Sequence, residues 1–111
     1  NPTWARTTSQ SSALVEFSQE SLALTLCGKA NFSWTGSNKL SYGIAKLSTN
    51  KSYGGRNGAV GDCDFDWTVL HEFGHTQALG HSSISSAIMY SNDNGRDTLQ
   101  SDDVAGIRGI Y

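Results

Sequence analysis

The chain has no excess of basic charge: eight Lys and Arg against ten Asp and Glu leave a formal net charge of −2. That removes the electrostatic footprint of a nucleic-acid or anionic-membrane partner. No apolar run approaches the ~18 residues of a membrane span. Residues 1–10 hold no charged stretch leading into an apolar one, so a signal or pro-segment is expected to have been removed or to lie outside these 111 residues. The length is too short for two full cores, and a single, monomeric domain over 1–111 is expected. Cysteine is scarce as well. Cys27 and Cys63 allow one disulfide, expected here in preference to a metal site, and it would imply an oxidising compartment. The glycosylation triplets at Asn31 and Asn50 point weakly the same way.

The first half has the alternation of a sheet. Leu14 and Phe17, then Leu22, Leu24 and Leu26, suggest two strands within 13–34, and residues 35–39 have the composition of a turn. Residues 40–48 alternate Leu40, Tyr42 and Ile44 with polar or small neighbours, the pattern of a half-buried or edge strand. Residues 48–62 contain four of the twelve glycines and no apolar period, so a long irregular loop is expected. From about Trp67, the spacing of Val69, Phe73 and Thr76 predicts a helix, with Asp66 suited to its N-cap. Ser101 can cap a short final helix whose Val104, Ile107 and Tyr111 share a face.

Histidine is also rare, yet all three histidines lie within residues 71–81, together with Glu72, one of only three glutamates. On a helix His71 and His75 stand about 40° apart around the axis and ~6 Å along it, so both imidazoles can reach one ion. His81 would point roughly 240° away from His75 if the helix continued. The helix must therefore stop and turn back, and Gly80 offers a permissive position for that. Three imidazole nitrogens and one open position suit a catalytic zinc, with Glu72 placed to accept a proton from water. No glutamate follows Glu72 to serve as third ligand. Downstream aspartates exist at 93, 97, 102 and 103, but the spacing of His81 fits better.

His71, Glu72, His75 and His81, with Met89 eight residues beyond, make the chain resemble the metzincins and, within them, the matrixins, the matrix metalloproteinase-like peptidases. The resemblance is specific over residues 66–111. It implies an α+β, zincin-like fold: a twisted sheet packed on the active-site helix, followed by a Met-turn and a C-terminal helix. His71, His75 and His81 would ligate one zinc, Glu72 would be the general base, and Met89 would form the apolar floor beneath the metal. Tyr90 would line the substrate pocket or stabilise the oxyanion, and at least one of Asp102 and Asp103 would brace the Met-turn. The implied activity is zinc-dependent hydrolysis of internal peptide bonds in extracellular or secreted proteins. The alternative is a zinc-stabilised peptide-binding module with weak or no turnover.

Four departures qualify the match. Ala78 stands where the family has glycine, and Ser91 replaces the proline usual after the Met-turn. No histidine remains for a second, structural zinc. The family's N-terminal strand and long first helix lack clear counterparts, as expected of a minimal, divergent or truncated member. Asp62, Asp64 and Asp66 could offer oxygens to calcium, but the run lacks the other ligands of a recognisable loop. For the extended substrate, the strand at residues 40–48 is the expected edge.

Overall fold

The computed structural model describes residues 14–35, 39–54 and 63–110. Its main sheet holds β1 (Val15–Glu20), β2 (Gly28–Thr35) and β3 (Lys39–Ser48) in the order β1-β3-β2. β1 runs parallel to β3, with Phe17 opposite Ala45, while β2 is antiparallel, with Ala30 opposite the same Ala45. A register shift follows Ser33 in β2. β4 (Tyr53–Gly54) and β5 (Cys63–Asp64) form a second, two-stranded parallel ladder.

This order corrects one sequence expectation. The strand at residues 40–48 is β3, and it is interior, hydrogen-bonded on both sides, so it has no edge to offer. Among the described residues the outer strands are β1 and β2. The polar and small residues of β3 suggested exposure, but they are small because a helix lies across them: a Cβ on Gly43 would stand 2.9 Å from Thr76 Cβ. Ala45 is buried in the same place, and Phe17 stacks on Phe73 with ring centroids 6.1 Å apart. The opposite face is polar, with Lys46 paired to Glu20 and the Tyr42 hydroxyl donating to Glu16.

The strand expected at Leu22, Leu24 and Leu26 does not form. Residues 21–27 turn instead, closed by the Leu26 N–H on the Ala23 carbonyl. Only Leu22 is buried, while Leu24 is 73% exposed. The turn is held from outside by Asn50, whose side-chain amide donates to Ser21 Oγ and to the Leu22 carbonyl.

Helix α1 (Phe65–Thr76) begins two residues earlier than expected, with Asp64 at the N-cap position and Asp66 in the first turn. The Asp64 side chain makes no capping bond; its carbonyl accepts the Thr68 hydroxyl, and its N–H donates to Asp93. Trp67 and Leu70 of α1 pack with Leu79, Ile88 and Met89 into the apolar cluster beneath the helix. Helix α2 (Ser101–Ile110) starts at Ser101, so the capping position falls on Gln100. The Gln100 N–H donates to Asp103, three residues on, which satisfies one of the helix's orphan donors. Val104 and Ile107 are half-buried on one side of α2; Tyr111 lies outside the described residues.

Cys27 and Cys63 are joined in a disulfide with Cα atoms 6.1 Å apart. It links the residue before β2 to β5, just ahead of α1. Closing a span of 36 residues stabilises the fold by about 4 kcal/mol on the chain-entropy model.

Candidate metal centre

The centre is built on the second half of α1. His71 and His75 project from successive turns with ring centroids 4.7 Å apart. Each ring is tethered by its Nδ1. His71 Nδ1 lies 2.7 Å from the Ile88 carbonyl, and His75 Nδ1 lies 2.7 Å from the Leu79 carbonyl. A carbonyl can only accept, so Nδ1 carries the proton in both rings and Nε2 keeps its lone pair free. The two Nε2 atoms stand 3.1 Å apart. Two nitrogens bound to one tetrahedral zinc at ~2.0–2.1 Å would be separated by roughly 3.3 Å, so the pair is already close to ligand spacing.

His81 completes the set through the turn that ends α1. Ala78 adopts the left-handed conformation, φ 68°. The Ala78 N–H bonds the His75 carbonyl, and the Leu79 N–H reaches back to the Gly74 carbonyl. That pair of bonds is the usual way a helix is closed by a left-handed residue, normally glycine. The reversal therefore sits on Ala78 and not on Gly80, the position expected from glycine's freedom. For alanine the conformation costs about 1 kcal/mol. The chain then delivers the His81 ring to 5.3 Å from His71 and 5.0 Å from His75, centroid to centroid. One nitrogen from each of the three rings lies within 4.8 Å of the others, so His71, His75 and His81 could hold a metal ion.

Burial sets the protonation states of these groups. It pulls His71 down to about 4, against the raising effect of its bond to Ile88, and it lowers His75 as well. The neutral forms of His71 and His75 are thus favoured at neutral pH, as metal ligation requires. Glu72, 6% exposed, is pushed up to about 7, also by burial. Its carboxylate packs against the start of β2, where a Cβ on Gly28 would stand 2.7 Å from Glu72 Cγ and 3.0 Å from Oε1.

Met89, 3% exposed, is seated against Gly74 of α1, in the cluster with Trp67 and Ile88. Its peptide is held by Asp103. One carboxylate oxygen accepts the Ile88 N–H and the other the Met89 N–H, at 2.9 and 3.0 Å. Because the Ile88 carbonyl accepts from His71, a single peptide unit separates the α2 carboxylate from the metal-site ring. Asp102, exposed, instead accepts the Ser82 hydroxyl. Tyr90 is half-buried and bridges Ser82, the residue after His81.

The histidines, Glu72, Met89 and Asp103 expected from the sequence lie together, but Gly28 against Glu72 and Gly74 against Met89 were missed. Gly74, between Glu72 and His75, was the most detectable, because a glycine inside a helix needs a packing reason. Asp64 and Asp66, considered for calcium, serve the start of α1, and Asp62 lies outside the described residues.

Comparison with known proteins agrees with this geometry. The chain is 53% identical over 51 residues to a protein of Spodoptera frugiperda ascovirus 1a described as a matrix metalloproteinase, covering 40% of this chain and 13% of that protein. It is 42% identical over 52 residues to the matrilysin of Rattus norvegicus, covering 43% and 20%. It is 40% identical over 73 residues to the neutrophil collagenase of Homo sapiens, covering 49% and 16%. The chain thus spans no more than a fifth of the length of these relatives. The Matrixin family model matches residues 7–111, through the sheet, the histidine helix and the final helix. On that match, the chain belongs to the matrixin family.

Proposed function

We propose that this chain is a zinc-dependent endopeptidase acting on extended polypeptides. The observation that carries this reading is the buried carboxylate of Glu72, next in sequence to one of three converging imidazoles. A purely structural metal site has no use for such a group. Three imidazole donors, two of them (His71 and His75) with Nδ1 fixed by carbonyls, suit zinc in type and number, with one coordination position left open.

When bound, zinc supplies Lewis-acid polarisation of a carbonyl and acidification of water. Glu72 takes the proton of the attacking water on a carboxylate oxygen and passes it to the leaving amine nitrogen. A carboxyl poised near neutrality by burial is suited to both steps. His71, His75 and His81 hold the ion, Met89 provides an apolar floor, and Asp103 braces that floor through two N–H bonds. Tyr90, beside the His81 segment, lines the pocket or donates to the oxyanion.

The substrate adds to the outer edge of β2. That edge runs from Gly28, against Glu72, along Ala30 and Phe32, whose main-chain groups point away from β3. Main-chain pairing there would lay an extended peptide past the carboxylate without demanding one side chain. The disulfide agrees with an extracellular setting, and among the described residues no helix is long and apolar enough to cross a membrane.

Incubating the zinc-loaded protein with a diverse peptide library, and reading new termini by mass spectrometry, tests the proposal. New internal termini that vanish with chelator are expected. A folded, zinc-bound protein that captures peptides intact would indicate a binding module instead.

A further inference from the structure

The triangle formed by Cys27, Tyr53 and Cys63 is closed in three different ways. Cys27 and Cys63 share the disulfide. Tyr53 and Cys63 are paired in the β4–β5 ladder. The Tyr53 hydroxyl donates to the Cys27 carbonyl and accepts the Ser48 N–H at 2.8 Å. Ser48 also shares that N–H with the Cys27 carbonyl at 3.0 Å, which ties the triangle to the end of β3. Phe65, the first residue of α1, meets the Tyr53 ring edge-on at 6.2 Å.

The residue after Cys27 is Gly28, whose backbone walls the Glu72 carboxylate. Glu72 and the triangle are close enough that the Glu72 charge is felt at the Tyr53 phenol, although burial is the larger cause raising its pKa. Nothing in holding a metal requires this arrangement, since none of its members touches a histidine ligand in the contacts described above. It fixes one distance, from the start of the outer strand to the carboxylate on α1.

We propose that Tyr53 and the Cys27–Cys63 disulfide act together as a clamp that positions the Gly28 backbone over Glu72, making Tyr53 a positioning residue for proton transfer at the metal centre. The proposal rests on the peptidase reading for its kinetic consequence but not for its structural one. Removing the hydroxyl leaves the Cys27 carbonyl held by the Ser48 N–H alone, and the loosened start of β2 admits water around Glu72 and misplaces the peptide relative to the base. Misplacement of that size costs turnover more than binding, because most of the β2 edge remains intact.

The test uses the zinc-loaded protein with Tyr53→Phe, with Cys27→Ser/Cys63→Ser, and with all three changes. Zinc content, kcat, KM and amide hydrogen exchange over residues 27–31 are measured for each. Tyr53→Phe is expected to lower kcat by about tenfold with KM and zinc content unchanged, and to speed exchange at 27–31. Since the hydroxyl holds Cys27 by its carbonyl and the disulfide holds the same residue by its side chain, the triple variant is expected to lose no more than the worse of its parts. Losses that multiply, or unchanged exchange at 27–31 in Tyr53→Phe, would overturn the clamp. If the disulfide variant does not fold, Tyr53→Phe decides alone. If the parent binds zinc but cleaves nothing, the peptidase reading fails, and the exchange result still decides the clamp.

Discussion

Met89 and Gly74 occupy one space. A Cβ added to Gly74 would clash with the sulfur of Met89 and stand 3.2 Å from its Cε. The seat of Met89 therefore depends on an absent side chain, two residues before the end of α1. Gly74→Ala gains about 1 kcal/mol of helix propensity, yet it must displace a fully packed methionine. A net destabilisation of about 1–3 kcal/mol is expected, with weaker zinc binding because His71 and His75 flank the site. Urea unfolding and a competitive zinc titration measure the two effects.

Asp102 and Asp103 are adjacent in sequence but differ in consequence. Asp103 accepts three N–H groups, from Ile88, Met89 and Gln100, and is 2% exposed. Asp103→Ala leaves those donors without their acceptor and is expected to cost about 3–5 kcal/mol. Asp102→Ala loses one exposed contact with Ser82, and less than about 1 kcal/mol is expected. Paired denaturation curves separate the two.

Ala78 carries a positive φ that glycine would adopt without strain. Ala78→Gly is expected to raise stability by up to about 1 kcal/mol, because relief of the left-handed penalty is partly offset by chain entropy. The His81 turn is kept, so zinc affinity is not expected to fall. Thermal unfolding and zinc titration of the variant check both points.

The metal-free protein should show opposed pH effects. Burial lowers His71 to about 4, so the unfolded chain takes up a proton first as pH falls. The stability this group contributes is present above about 6.5 and is lost as pH drops toward 4. Glu72 is raised to about 7, so its contribution is present below about 4.5 and is lost as pH climbs through 7. Glu72→Gln removes only the second effect. Its stability relative to the parent should rise between pH 4.5 and 7 and then level off, in urea melts with chelator present.

Much of the site was legible because it is local. His71 and His75 declare themselves by a spacing of four on one helix, and the need to return His81 forces a turn whatever residue makes it. Asp103 was legible only through family resemblance, since nothing in its neighbourhood reveals that Ile88 lies above it. The sheet was harder for a physical reason. Alternation records which face is buried but not which neighbour is paired, so β3 with Gly43 and Ala45 looked like an edge when it is the middle strand. Leu22, Leu24 and Leu26 alternate without pairing at all. Glycine's freedom pointed to Gly80, whereas the closing bonds to His75 and Gly74 fix the reversal at Ala78. Tyr53 lay in a stretch without periodicity, where only long-range contacts give a residue meaning.

The most direct measurement compares parent and Glu72→Gln for zinc content and for cleavage of a peptide already shown to be cut. If Glu72 is the base and the histidines alone hold the ion, both proteins carry one zinc per chain, and the variant loses at least about 10²-fold in kcat/KM. Equal cleavage by the two, with zinc bound in both, would contradict the assignment of Glu72 and the mechanism built on it.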